Sequence, residues 1–284
     1  MIKDQSLPSV ILNVIRNQAT EPPNSGTYHH PPGAGTYLCR GCGLALFRVS
    51  MQFDSHCGWP SFDEYIPNAI AERLDKDGKR MEIVCARCHA HLGHVFYGES
   101  LTDKNIRHCV NSISLDFIPN SEVLDTEEAI VAGGCFWGVE HYLRRLTGVL
   151  RTEVGYTGGH QENPAYDEVC SGLTGHVEAV RVLYDPQKIS YEDILRHFFE
   201  IHDPTQQKGQ GPDIGSQYLS MVYYYDTAQK TMAEKLIQLL KKHGYAVVTK
   251  LLPISIFWPA ETYHQSYYEK TGKNPYCHKV TKRF

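Results

Sequence analysis

Nine cysteines and their spacing carry most of the chemistry available to this 284-residue chain. Cys39 with Cys42 in YLCRGCG, and Cys85 with Cys88 in IVCARCH, form two Cys-x-x-Cys knuckles. Such a pair of knuckles offers four soft thiolates in the tetrahedral arrangement that zinc favours, and Gly41 and Gly43 permit the tight backbone between them. A fully sulfur-ligated site is closed, so the expected metal is structural. The rival readings are a redox dithiol in one knuckle, or four buried free thiols. A zinc ribbon that binds nucleic acid would carry the same cysteines. However, 28 Lys and Arg against 32 Asp and Glu, a net charge of −4, give no field to hold a polyanion or an acidic membrane surface.

Two further cysteines stand where a thiolate could be stabilised. The run RHCVNSISLDF alternates as one strand over 107–117, with Arg107, Cys109 and Asn111 on one face, continued by Ile113, Leu115 and Phe117. At about 6.6 Å along a strand, and an effective dielectric near 20, Arg107 would favour a Cys109 thiolate by at most ~2.5 kcal/mol. His91 and His94 in HAHLGHVF could each donate a proton. DSHCGWPSF places Cys57 just before Trp59, a second thiol beside an aromatic wall. His108 falls on the opposite strand face and receives no catalytic role. Taken alone, Cys109 reads equally as a small buried hydrophobe. The second candidate lies in EEAIVAGGCFWGVEHYLRRLTGV, a strand, a glycine turn and a helix with Phe136, Val139, Leu143 and Leu146 on its apolar face and Gly148 placed to stop it. Cys135 then sits at a helix N-terminus, whose N–H groups and dipole favour a thiolate. The bland alternative is a tight junction in which Gly133 and Gly134 serve packing alone.

These sites need two scaffolds, and the length suits two cores. The polar, proline-containing IPNSEVLDTEE at Ile118–Glu128 reads as a linker, giving domains at 1–118 and 129–284. Upstream, short runs separated by turn residues (GTYLC, LALF, MEIVC, HVFY) predict a mostly β domain preceded by a helix over Pro8–Gln18. Downstream, strands are expected at Ala129–Ala132, Glu153–Tyr156, His176–Tyr184, Tyr218–Tyr225 and Ala246–Leu252. Helices are expected at Tyr191–His202, Thr227–His243 and Ala260–Lys270. Together they make an α/β sandwich. The chain holds 42% apolar residues but no apolar run near the ~18 needed to cross a bilayer, and no small-residue cleavage site near its N-terminus. A cytoplasmic protein is expected, in which cysteines serve as metal ligands or catalytic thiols rather than structural disulfides.

TEPPNSGTY, both knuckles, FDSHCGWPSF, HLGHVF and RHCVNSISLDF, in that order, resemble the B-type methionine sulfoxide reductases. GGCFWGVE, VGYTGG, YDEVCSGLTGHVEAV, HDPTQQKGQGPDIGSQY, FWPAETYHQSYYEK and NPYCH resemble the A-type reductases, whose fold is ferredoxin-like. The first resemblance implies Cys109 as the attacking thiolate, Cys57 as resolving thiol, and Trp59 against the substrate methyl. His91, His94, Arg107 and Asn111 would arrange protons and water. The second implies Cys135 as nucleophile and Glu178 as proton donor. Tyr166, Asp213 and Tyr218 would bind the sulfoxide oxygen, Phe136 and Trp137 would form the methyl pocket, and Cys277 would resolve. Cys170 is left over as a small buried residue. The family commonly has tyrosine where this chain has His108, and some relatives carry two C-terminal cysteines where this chain ends with one.

The combined resemblance implies structural zinc and reduction of both sulfoxide epimers, R at Cys109 and S at Cys135, in oxidised proteins and free methionine sulfoxide. Thioredoxin would be the reductant, since no flavin or nicotinamide fingerprint is present. The competing functions are a peroxide-reducing thiol enzyme, which needs no aromatic methyl pocket, and a zinc-dependent redox-sensing adaptor without turnover.

Overall fold

A computed structural model describes residues 2–284, which form two compact units meeting in sequence between Thr126 and Glu127. The first unit begins with helix α1 (Ser9–Ile15), whose Val14 and Ile15 are buried. Nine short strands follow: β1 (Gly35–Cys39), β2 (Ala45–Arg48), β3 (Gln52–Phe53), β4 (Ser61–Phe62), β5 (Ile70–Leu74), β6 (Met81–Cys85), β7 (His91–Tyr97), β8 (Ile106–Val110) and β9 (Leu115–Pro119). They pair into a three-stranded sheet ordered β2-β1-β9 and a six-stranded sheet ordered β3-β4-β8-β7-β6-β5. All these pairings are antiparallel, and β1, β2, β6 and β9 bury nearly every residue, so they are covered on both faces. Aromatic rings join the two sheets: Phe47 stacks on Phe62 at 4.0 Å between centroids, and Tyr37 meets Phe62 at 5.2 Å while packing on Phe117 of its own sheet at 5.1 Å.

The single strand expected over 107–117 is two strands in different sheets. Strand β8 ends at Val110, and Ser112–Ser114 make one 3-10 turn before β9 begins. The cause is Glu21, whose buried carboxylate accepts the N–H groups of both Ser112 and Ile113 and so withdraws them from any ladder. Ile113 is consequently half-buried, whereas Leu115 and Phe117 reach the core from the smaller sheet. The stretch expected to be a linker is also partly structured, because β9 extends to Pro119 and both Val123 and Thr126 are buried.

The second unit runs β10 (Glu127–Gly133), α2 (Phe136–Leu143), β11 (Val149–Thr157), α3 (Tyr166–Cys170), β12 (Val177–Tyr184), α4 (Tyr191–Ile201), β13 (Gly209–Gln210), β14 (Asp213–Ile214), β15 (Ser220–Tyr224), α5 (Thr227–Lys242), β16 (Lys250–Pro253), β17 (Trp258–Pro259) and α6 (Tyr267–Thr271). Its sheet is ordered β16-β15-β10-β12-β11-β17. The inner four strands with α2 and α4 form the split β-α-β of a ferredoxin-like fold. Alternation along β10 assigns the faces. Ala129 and Val131 join Phe136, Val139, Leu143, Phe198, Leu236 and Leu240 in the larger core under the helices, whereas Ile130 and Ala132 join Ala179, Tyr223, Ile254 and Phe257 on the opposite face.

Two expected elements are shorter than their patterns suggested. Residues 246–249 stay outside the sheet, and β16 begins only at Lys250. The helix expected over 260–270 forms only at Tyr267–Thr271, because Ser266 is in the left-handed region at φ 56° and interrupts the preceding turns. Those turns hold the sheet edge. The Gln265 amide accepts from Val154 N (2.9 Å) and donates to Val154 O (2.8 Å) and Ala260 O (2.9 Å), doing at Val154 what a strand would do. Among the described residues no helix is long and apolar enough to cross a membrane.

Replacing Gln265 with Ala leaves the buried Val154 N–H without its partner, which costs about 1–3 kcal/mol. Urea unfolding followed in the second unit should shift to a lower midpoint with an unchanged slope. An unshifted midpoint contradicts the edge role of this amide.

Candidate active sites and metal cluster

The two knuckles converge. Cys39, Cys42, Cys85 and Cys88 are buried, with all four sulfurs within 4.8 Å of one another and the Cys39–Cys88 and Cys42–Cys85 pairs each at 3.6 Å. A tetrahedron with metal–sulfur bonds of ≈ 2.3 Å has edges of about 3.8 Å, so the spacing and the soft donor set fit zinc. In the first knuckle the N–H groups of Cys42 and Gly43 both turn back onto Cys39 O, and Gly43 takes φ 79°, a value open to glycine.

The first unit brings together most of the residues expected around Cys109. The register sets Cys109 on β8 between Ser61 of β4 and His94 of β7. The Cys57 sulfur lies 3.7 Å from that of Cys109. A cavity of about 120 Å³ beside them is lined by Trp59, Arg80, His94, Phe96, Cys109 and Asn111, among others. Two sulfurs this close carry one negative charge between them. Cys57 is pushed down to about 4 by the Cys109 thiol and, against burial, by the hydroxyls of Ser55 and Ser61, while the Cys109 thiol is pushed up by Cys57 and by its burial. Ser55 Oγ donates to the Cys57 sulfur at 3.1 Å.

Arg107 opposes the rise at Cys109, but its guanidinium is already held by Glu99 at 2.7 and 2.9 Å and lies over the Phe96 ring. The cation expected to make Cys109 a resting thiolate is therefore largely neutralised. The two histidines differ. His94 borders the cavity, with Nε2 2.6 Å from Asp75 Oδ2. His91 is buried, with Nδ1 2.6 Å from Glu82 Oε1, and its Nε2 has no partner among the described residues. His108 faces away, 3.0 Å from Phe62 O.

Asn111 borders the cavity, and its amide is also committed to the backbone around it. Its Oδ1 accepts from Glu21 N (3.0 Å) and its Nδ2 donates to Leu92 O (3.1 Å). Glu21 in turn accepts the Trp59 indole N–H on its carbonyl at 3.0 Å. Asn111 thus fixes the cavity's aromatic wall through Glu21, a residue that sequence reasoning quoted within TEPPNSGTY but gave no task.

In the second unit Cys135 is the N-cap of α2, and the N–H groups of Trp137 and Gly138 favour its thiolate. They are outweighed. The neighbouring Cys277 thiol, then burial, push Cys135 well above the usual thiol range. Glu178 is also buried and raised well above the usual carboxylate range, by burial first and then by the charges of Cys135 and Asp213, against the Phe136 N–H that its Oε2 accepts at 2.9 Å. Like charges repel at this range, so an anion at Cys135 disfavours one at Glu178 and holds the carboxyl protonated.

The charge of Glu178 also reaches Tyr166 and Tyr218, whose hydroxyls burial holds protonated. Asp213 accepts from Tyr276 OH at 3.2 Å on Oδ1, while its buried Oδ2 has no partner among the described residues. Trp137 stacks on Tyr267 at 3.8 Å and donates its indole N–H to His264 Nδ1 at 3.1 Å. Phe136 lies in the core against Tyr156 and His264. Cys277, expected in a polar tail, is buried. Cys170, expected to be buried, is half-exposed beside Tyr166. Sequence reasoning missed His264 and Tyr267, although both stand in the quoted FWPAETYHQSYYEK, three residues apart, a spacing that puts two helical residues on one face.

The comparisons with known proteins divide at the same place. A family model described as peptide methionine sulfoxide reductase matches residues 127–284, and a SelR domain model matches residues 7–119. The peptide methionine sulfoxide reductase MsrA of Nautilia profundicola is 49% identical over 150 residues, covering 53% of this chain and 87% of that protein. MsrA of Methanosarcina acetivorans is 48% identical over 149 residues, covering 51% of this chain and 79% of that protein. The reduced form of Mxr1 from Saccharomyces cerevisiae is similar in structure, with a TM-score of 0.52 and 34% identity over 55% of this chain and 92% of that one.

Removing one sulfur from the four-cysteine cluster forfeits much of a metal-linked folding energy of order 10 kcal/mol. Cys85→Ser is expected to lose the bound metal, measured by elemental analysis, and to lower the thermal transition of the first unit while that of the second stays in place. Equal loss in both units contradicts a structural role confined to the first.

Proposed function

Since the chain belongs to the peptide methionine sulfoxide reductase family, preceded by a SelR domain, and is an enzyme that reduces methionine sulfoxide, we propose that its two units do so at separate sites built on Cys109 and Cys135. The observation that carries this reading is the placement of Cys57 and Cys109, sulfur against sulfur at 3.7 Å beside an aromatic-walled cavity. A sulfoxide presents a polar oxygen and an apolar methyl, so its pocket needs proton donors on one side and aromatic carbon on the other.

At the first site Trp59 supplies the carbon wall. His94, which borders the cavity and is steadied by Asp75, supplies the proton, and His91 supports it from behind. The Cys109 proton passes to Cys57, and the freed thiolate attacks sulfur as the sulfoxide oxygen is protonated. Methionine departs and Cys109 is left as sulfenic acid. At the second site the Cys135 proton passes to Glu178, which returns it to the substrate oxygen. Tyr166 and Tyr218 hydroxyls hold that oxygen, Asp213 positions the donors, and Trp137 with Phe136 receives the methyl. Positioned proton transfer of this kind contributes ~10²–10⁴ in rate.

Cys57 and Cys277 then condense with the sulfenic acids, releasing water and leaving a disulfide in each unit. An external dithiol reduces both. Thioredoxin, an external protein dithiol, fits that role. Dependence on a dithiol suits a reducing, cytoplasmic setting, and zinc at Cys39, Cys42, Cys85 and Cys88 clamps the first unit. Both free and protein-bound methionine sulfoxide are proposed substrates.

Cys57→Ser and Cys277→Ser should each leave one methionine per chain from the affected unit and abolish its thioredoxin-driven cycling, because attack precedes disulfide formation. A missing burst, read by quenched flow, reassigns the resolving thiol. The two sites should also divide the epimers. In the opposite epimer oxygen and lone pair exchange places, which leaves the donors unpaired, a mismatch of several kcal/mol. Wild type then consumes all of a racemic mixture. Cys109→Ser leaves the R form and Cys135→Ser the S form, each about half the material, as resolved by chiral chromatography. Complete consumption by either variant contradicts the two-pocket reading.

A further inference from the structure

The residue after the second resolving thiol has a defined chemical state. His278 is buried, its ring packed against the first turn of α2 so closely that a Cβ on Gly138 would lie 2.2 Å from Nδ1. Its Nε2 is 2.7 Å from the carbonyl oxygen of Gly133, at the end of β10 and just before Cys135. A carbonyl can only accept, so Nε2 carries hydrogen. Burial disfavours the imidazolium, opposed by the Gly133 carbonyl and the Asp213 charge, and holds His278 below the usual histidine range. The ring is therefore neutral, and the nitrogen left with a lone pair is Nδ1. The sulfur of Cys277 lies 3.0 Å from that nitrogen. The S–H of Cys277 consequently donates to Nδ1, the relation of a nucleophile to its base.

We propose that His278 is the general base of the second half-reaction at this site, taking the Cys277 proton as that sulfur attacks the Cys135 sulfenic acid. The step balances. The Cys277–Cys135 S–S bond forms and the Cys135 S–O bond breaks. The departing hydroxide takes the proton held on Nδ1 and leaves as water, so His278 ends neutral. The thiol sulfur is oxidised and the sulfenic sulfur reduced, with no outside oxidant. The Gly133 carbonyl fixes the tautomer from the strand end that also delivers the electrophile, so base and target are set by one stretch of backbone. The first unit shows no such arrangement at Cys57, where the sulfur is surrounded by the hydroxyls of Ser55 and Ser61. The assignment rests on Cys277 being the resolving thiol.

The test uses the full-length chain carrying Cys109→Ser, so that only the second site turns over. With His278→Gln added, quenched flow should still show the methionine burst. Disulfide formation, followed by loss of alkylatable thiols, should slow by ~10² or more, and steady-state turnover should fall with it. A burst followed by disulfide formation within about threefold of the parent rate overturns the proposal. A parent that shows the burst but forms no Cys135–Cys277 disulfide overturns instead the reading on which it rests. Should the substitution damage the burst itself, nitrogen-15 NMR of His278 in the unsubstituted chain decides. A neutral ring protonated at Nε2 supports the proposal, and one protonated at Nδ1 overturns it.

Discussion

A thiol that attacks a sulfoxide must afterwards be reached by a second thiol, so it has to touch its partner sulfur while keeping one side open to substrate. This constraint organises both units. In the first, Cys57 comes from the bend between β3 and β4 and Cys109 from β8, and their sulfurs rest 3.7 Å apart, too far for a bond and close enough for a proton to pass. In the second, a thiol from the C-terminal segment is folded inward against the N-cap of α2. At Cys57 and Cys109, contact between sulfurs also means that the pair ionises once. The nucleophile is then a thiol at rest, and the partner or a carboxylate must take its proton when substrate arrives.

The two units meet this demand with different materials. The first is a small pair of sheets whose four-cysteine cluster joins the end of β1 to the end of β6 and its turn. A chain of backbone-directed bonds through Asn111 and Glu21 aims Trp59 at the cavity. The proton donor proposed for it is the His94 imidazole on the adjacent strand β7. The second uses a helix N-terminus and buries the Glu178 carboxylate, which is proposed for the same purpose. Its indole wall is held by His264 and stacked on Tyr267. On this proposal the same chemistry rests on an imidazole in one case and a carboxylate in the other, so the reaction dictates little of the scaffold.

What the sequence disclosed was local. The knuckles were legible because metal spacing is a short-range pattern. The N-cap position of Cys135 was legible because two glycines after a strand leave few alternatives, and β10, β11, β12, β15, α4 and α5 followed from alternation and helical periodicity, whereas the short α3, β13, β14 and β17 carried no such pattern. What it hid depended on partners far along the chain. Glu21 bends the backbone some ninety residues later, at separations of 91 and 92, and so splits a run whose alternation looked like one strand. Arg107 looked like a free cation until Glu99 was seen to hold it. The helical pattern of 260–270 was real in composition, but Ser266 and the commitment of Gln265 to the sheet edge overrode it. Cys277 sits in a segment polar enough to read as a tail, and only its tertiary position shows a buried thiol.

The account stands on which sulfurs are partnered. Full-length protein treated with excess racemic methionine sulfoxide and no reductant, then alkylated, digested and mapped by mass spectrometry, tests this most directly. The account predicts two disulfides, Cys57–Cys109 and Cys135–Cys277, with Cys170 alkylated and the four cluster cysteines recovered as thiols after denaturation with a chelator. A disulfide within a Cys-x-x-Cys knuckle, or Cys170 linked to Cys135 in place of Cys277, contradicts it.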